Sequence, residues 1–213
     1  MARKRVAILI SGRGSNMVAL IEAAKDNSYP AEIALVLSNE PGAEGLQRAS
    51  AAGIATAVVD HRPHGRDREA FERALQAAIE PHGIDLICLA GFMRLLTPWF
   101  IAKWEGWLLN IHPALLPAFK GLDTHARAIA EGATQHGATV HFVVPEMDSG
   151  PIVAQEAVPV LPGDTESPLA ARVLAAEHRI YPLALRLVAE GRVRMAGGRC
   201  LVDGVAVPPA AVP

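Results

Sequence analysis

The chain has 213 residues, 51% hydrophobic and 20% charged, and 20 Lys and Arg against 22 Asp and Glu leave a net charge of −2. So much apolar material excludes global disorder, and a charge so near zero gives no support to a nucleic-acid partner while still allowing a local anion pocket. Cys88 and Cys200 form neither a disulfide framework nor, with the histidines, a zinc spacing, so two free thiols and no metal are expected.

The basic start Met1-Ala2-Arg3-Lys4-Arg5 precedes an apolar run too short for a signal peptide. No segment approaches the roughly 20 apolar residues of a membrane span. A cytoplasmic protein with no membrane partner is expected. Residues 6–10 are a continuous apolar run, followed by Ser11-Gly12-Arg13-Gly14-Ser15-Asn16 and by helical spacing over 17–24. Runs at 33–37 and 55–59 flank a helical stretch from about 43 to 52. Residues 66–79 are amphipathic, with Phe71, Leu75, Ala78 and Ile79 on one face. Strands are predicted at 84–89 and 107–111. Between them Thr97-Pro98 reads as the N-cap and first-turn proline of a helix over 99–104. Such alternation of apolar runs with helices predicts a parallel sheet in an α/β fold.

The pattern then changes. Runs at 138–144 and 152–160 leave no room for a helix between them, which predicts an antiparallel hairpin. Ser167-Pro168 opens a helix to about Glu190, with a bend expected at Tyr181-Pro182. A small hairpin over 193–195 and 199–202 precedes the tail 208–213, which is expected to fray. The reading is one domain over 1–213, with a phosphate-binding half at 1–105 and a catalytic half at 106–207.

Three places carry chemistry. The glycine loop, Ser11 to Asn16, follows a strand and opens a helix, so its N–H groups and the helix dipole favour an anion. A dinucleotide fingerprint needs a third glycine where Met17 stands, and the Lys-Ser/Thr pair of a nucleotide P-loop is missing. A terminal phosphate suits this loop better; a tight turn is the plain alternative. Asn110-Ile111-His112-Pro113 ends the fifth run, and positions i and i+2 of a strand share a face. An amide beside an imidazole at a strand's carboxyl end suits a reaction that builds an oxyanion; a structural histidine is the alternative. Asp148 lies at a turn. Folded back beside His112 it would favour the protonated ring, a contact that spacing does not establish. By themselves Arg68 and Arg94 read as solvated charges, His61, His64 and His82 as solvated imidazoles, and Glu177-His178 as a surface pair. His141 is open to either face.

Taken together, these residues resemble the phosphoribosylglycinamide formyltransferase family over about 5–209. The resemblance rests on Ile10-Ser11-Gly12-Arg13-Gly14-Ser15-Asn16, Leu89-Ala90-Gly91-Phe92-Met93-Arg94, Asn110-Ile111-His112-Pro113 with Leu115-Leu116-Pro117, His136-Gly137, Met147-Asp148-Ser149-Gly150-Pro151 and Glu177-His178. It implies a Rossmann-like formyltransferase fold, a mostly parallel twisted sheet with helices on both faces and an antiparallel hairpin toward the C-terminus. It implies formyl transfer from the co-substrate 10-formyltetrahydrofolate to the amine of glycinamide ribonucleotide in purine synthesis, by a monomer or homodimer. It assigns the phosphate to Gly14, Ser15 and Asn16 and a contact with the glycinamide end of the ribonucleotide to Glu177. It assigns the folate to Arg68, Met93, Arg94, Leu95, Leu96, Asn110, Val144, Pro145, Glu146, Met147 and Asp148, and catalysis to Asn110, His112 and Asp148. Asp123, Leu174 and Pro145 depart from the family pattern. The alternatives are another enzyme using the same folate, a hydrolase included, and a non-catalytic nucleotide-binding module.

Overall fold

The computed structural model describes residues 2–206. The chain divides into two compact units, residues 1–109 and 110–213. In the first, β1 (Lys4–Ile10), β2 (Ala31–Ser38), β3 (Thr56–Val58) and β4 (Leu86–Leu89) run parallel in the order β3-β2-β1-β4. Val6 through Ile10 are wholly buried, which is why β1 is apolar without alternation: a central parallel strand has no wet face. The helices are α1 (Ser15–Ala24), α2 (Glu44–Ala51), α3 (Arg68–Ile79) and α4 (Pro98–Lys103).

Two local expectations change here. A short 3-10 turn at Arg62–His64 precedes α3, and Asp67 caps the helix by accepting from Ala70 N at 2.9 Å, so α3 starts later than its periodicity predicts. Its buried face also holds Glu72 and Gln76 beside Phe71, Leu75 and Ile79. Thr97 and Pro98 take the N-cap and first-turn positions of α4 as predicted, but the Thr97 side chain caps nothing and turns to α3 instead.

β5 (Leu108–His112) starts in the first unit and ends in the second. In the second unit β6 (Gln135–Phe142) pairs antiparallel with β7 (Ile152–Pro159), from Gln135 opposite Pro159 to His141 opposite Ile152. The predicted hairpin is present, but β6 sits two to three residues earlier in the chain than predicted, leaving Val144 to the loop. The sequence reading has no counterpart for α5 (Thr124–Ala130). It is a single short helix that buries only Thr124 and Ala128, too little for a periodic signal. α6 (Glu166–Ala189) packs on β6 and β7 and runs as one helix with Pro182 inside it. β8 (Val193–Ala196) and β9 (Arg199–Val202) make the terminal hairpin, widened to three strands by β10 (Val205–Ala206). The tail 208–213 lies outside the described residues. Both cysteines are buried free thiols. No helix among the described residues is long and apolar enough to cross a membrane.

The loop between β6 and β7 folds flat against the end of β6. Phe142 N–H donates to Pro151 O at 2.9 Å, and a Cβ on Gly150 would stand 1.7 Å from the Phe142 carbonyl oxygen. Gly150→Ala should therefore destabilise the protein by at least the ~1–3 kcal/mol typical of overpacking. Urea unfolding should show a lowered midpoint with an unchanged slope.

Candidate active site

The second unit brings Asn110, His112 and Asp148 together. Asn110 and His112 stand two apart on β5, and the face they share meets His141, which sits on β6 two residues after Thr139. Asp148, in the left-handed region at φ 50, turns its carboxylate between two imidazoles. Oδ2 lies 3.5 Å from His112 Nδ1, and Oδ1 lies 3.7 Å from His141 Nε2. Gly121 N–H also donates to Oδ2 at 2.9 Å. The pair is nearly dry: the side chains of His112 and Asp148 are 6% and 10% exposed.

Hydrogen-bond partners constrain the ring roles. His141 Nδ1 is 2.9 Å from Phe142 O, an acceptor, so Nδ1 carries the proton and Nε2 accepts from Asn110 Nδ2 at 3.3 Å. His112 Nε2 is 2.9 Å from Phe119 O, and its Nδ1 faces the carboxylate. Each ring nitrogen of His112 thus faces an acceptor atom. The neighbouring imidazoles are pushed toward the neutral form. Burial, and then the neighbouring His125 and His112 rings in that order, push His136 down to about 4. Burial is likewise the main cause lowering His125 and His141. Phe119 is held edge-on by His136, with ring centroids 5.6 Å apart, and His136 Nε2 meets His125 Nδ1 at 3.2 Å. Thr139 ties β6 to the segment after His112, donating to Ala114 O at 2.6 Å and accepting from Leu116 N at 3.1 Å.

The sequence reading leaves the face of His141 open and gives no role to Thr139, Phe119, Gly121 or His136. Period-2 alternation places Thr139 and His141 on one face, and that is the signal available for them. Nothing in the sequence points to the Phe119 carbonyl. Among the other folate candidates in this unit, Val144 is half-buried, whereas Pro145, Glu146 and Met147 are exposed, Met147 at 51%. Glu146 lies 3.7 Å from Lys120 Nζ. Glu177 is buried, at 6% exposure, and His178 is half-buried, which corrects the reading of these two as a surface pair.

In the first unit the glycine loop is built as an anion site requires. Gly14 is the N-cap of α1 at φ 71 and offers no capping side chain, and the first turn, which holds Ser15 and Asn16, carries no acidic residue. α2 presses on this loop at Gly45, whose N–H donates to Gly12 O at 3.1 Å; a Cβ there would lie 2.4 Å from Ile10 Cδ1. Arg68 is the exposed first residue of α3. Met93 and Leu95 are 66% and 61% exposed, with Arg94 and Leu96 half-buried between and beside them. Ser11 joins the glycine loop to this segment: its N–H donates to Gly91 O at 3.1 Å and its Oγ accepts from Met93 N at 2.7 Å. His61, expected in solvent, is instead half-buried, with Nδ1 3.2 Å from Asn39 Nδ2.

A strand-end amide and imidazole backed by a buried carboxylate, on a mostly parallel α/β sheet, define a class. The formyl transferase family profile matches residues 4–185, and the chain belongs to that family. It is 45% identical over 204 residues to the phosphoribosylglycinamide formyltransferase of Escherichia coli (strain K12), covering 96% of each chain. It is 51% identical over 191 residues to the trifunctional purine biosynthetic protein adenosine-3 of Gallus gallus, where 90% of this chain spans 19% of that protein. The fold is similar to the phosphoribosylglycinamide formyltransferase of Coxiella burnetii, with a TM-score of 0.91 at 40% identity over 97% of each chain.

The lowered pKa of His136 has a stability consequence. Unfolded, the ring titrates near 6.5; folded, near 4. The unfolded chain therefore binds the proton first. Stability is whole above pH 6.5 and falls as pH drops toward 4, by about 3 kcal/mol for this group. NMR titration of the His136 ring, beside urea unfolding at stepped pH, checks both.

Proposed function

We propose that the chain is a phosphoribosylglycinamide formyltransferase acting in de novo purine synthesis. It converts N1-(5-phospho-D-ribosyl)glycinamide to its N2-formyl derivative. The folate co-substrate, 10-formyltetrahydrofolate, supplies the formyl carbon and leaves as tetrahydrofolate. The observation that carries this reading is the dry Asp148 carboxylate lying between His112 and His141, with Asn110 on the same face.

The donor set fits an acyl carbonyl. Asn110 Nδ2 carries a second N–H beyond the one His141 accepts, and a protonated His112 has two. As the substrate amine bonds to the formyl carbon, charge builds on the carbonyl oxygen, and these groups donate to it. One such donor is typically worth ~10²–10³ in rate. The Nδ1 side of His112 keeps its ion pair with Asp148, so the Nε2 proton is the one to be redirected from Phe119 O. Phe119 sits at φ 53, a strained conformation for a residue with a side chain, which makes its carbonyl the cheaper partner to release. Asp148 then takes the proton shed by the amine and, as the bond from the formyl carbon to N10 breaks, that proton passes to N10 of the departing tetrahydrofolate. His141, kept neutral by burial, holds Asn110 in place as an acceptor and does not compete for that proton. Gly14, Ser15 and Asn16 hold the phosphate, and Glu177 holds the glycinamide end. Arg68, Met93 to Leu96 and Val144 to Asp148 hold the folate.

The direct assay is formation of formylglycinamide ribonucleotide from the two substrates without added metal. Formate release without the ribonucleotide would mark a hydrolase instead. Asp148→Asn should lower kcat by ~10²-fold or more, the lower part of the range for acid–base groups, with both KM values little changed. His112→Ala and Asn110→Ala should likewise lose kcat, since the charge they meet exists mainly in the transition state. Glu177→Ala should raise KM for the ribonucleotide selectively; a selective rise for folate would reverse the two binding assignments.

A further inference from the structure

Glu72 lies at 0% exposure on α3, four residues after Arg68. A buried carboxylate is costly unless its oxygens are met by donors. Here one oxygen accepts from Thr97 N at 2.5 Å and the other from the Thr97 hydroxyl. Thr97 is the residue at which 93–96 ends and α4 begins. Burial raises the Glu72 carboxyl, and the two Thr97 donors, with the Arg68 charge behind them, pull against it.

The other end of the segment is tied as firmly. Met93 N–H donates to Ser11 Oγ at 2.7 Å, and Ser11 Oγ in turn donates to the buried Asn39 Oδ1 at 2.5 Å. Between these two ties lie Met93, Arg94, Leu95 and Leu96, with two large apolar side chains held out in solvent. Exposed apolar side chains on an untied loop would turn inward; here the backbone is clamped on both sides of them. We propose that Glu72 is a positioning residue for folate binding: its charge-assisted grip on Thr97 sets the conformation in which 93–96 meets the co-substrate, without touching it. This rests on the folate reading above. Ordinary helix capping would account for stability, but not for a buried carboxylate whose two oxygens both meet the residue that closes a binding segment.

The test compares Glu72→Gln, Thr97→Val and Gln76→Leu. Gln76 is the control, because its Oε1 accepts from Trp104 Nε1 at 3.0 Å in the same α3–α4 packing and its Nε2 donates to Glu80 at 3.3 Å, away from 93–97. Glu72→Gln removes the charge from both bonds and reverses the direction of the one to the Thr97 hydroxyl, which can accept as well as donate. KM for 10-formyltetrahydrofolate should rise roughly tenfold or more, the scale of a lost bond to a charged group, with kcat and the ribonucleotide KM little changed. Thr97→Val keeps the N–H bond and should show a smaller rise; the double variant should be no worse than Glu72→Gln. Hydrogen exchange over 93–97 should speed up in Glu72→Gln and stay at the wild-type rate in Gln76→Leu, even where both lose thermal stability. Wild-type folate KM and wild-type protection in Glu72→Gln would overturn the proposal. So would equal effects in Gln76→Leu. If Glu72→Gln does not fold, Glu72→Asp and Thr97→Val carry the same comparison. A wild-type chain that forms no formylated product would sink the folate reading, while the exchange arm would still decide whether Glu72 clamps the segment.

Discussion

The placement of one carboxylate governs the second unit. Asp148 adopts a left-handed backbone, and its loop lies so close to β6 that Gly150 leaves no space for a methyl group. Gly121 N–H then fixes one carboxylate oxygen. With that oxygen set, His112 and His141 take up opposite sides of the group and Asn110 is oriented through His141. Backbone strain and close approach are unfavourable by themselves, and the packing of β6 against β7 and α6 offsets them.

The electrostatics follow from dryness. Four imidazoles gather here, and a charge on each would be mutually repulsive in a poorly solvated space. Burial answers this by disfavouring the charged form of His125, His136 and His141. His112 is the ring placed against a carboxylate at one nitrogen and a carbonyl at the other. The proposed chemistry needs one mobile proton near Asn110 and a neutral acceptor behind it, and the contacts of His112 and His141 are compatible with those roles.

In the first unit, the groups proposed to touch ligands are backbone amides and exposed side chains, and those that hold them are buried polar groups. Ser11 bonds buried Asn39 at the edge of the glycine loop, and Thr97 bonds buried Glu72 at the end of 93–96. Such groups are expensive to bury and confer little net stability, so their value lies in fixing a single conformation.

The sequence by itself determined the strands and long helices, because an apolar run or a 3.6-residue stripe is written locally. It also marked the glycine loop and the shared face of Asn110 and His112, since loop chemistry and a period of two need no distant partner. Tertiary structure decided the rest. The contact of Asp148 with His112 spans 36 positions along the chain, and that of Glu72 with Thr97 spans 25. His141 reads as an ordinary polar residue until its burial is known, and Glu177, outside the family resemblance, as a surface charge. The Phe119 carbonyl carries no side-chain signature at all. Long-range proximity, desolvation and the direction of a peptide group arise only when separate elements pack, and those three quantities are what turn a set of common polar residues into a site.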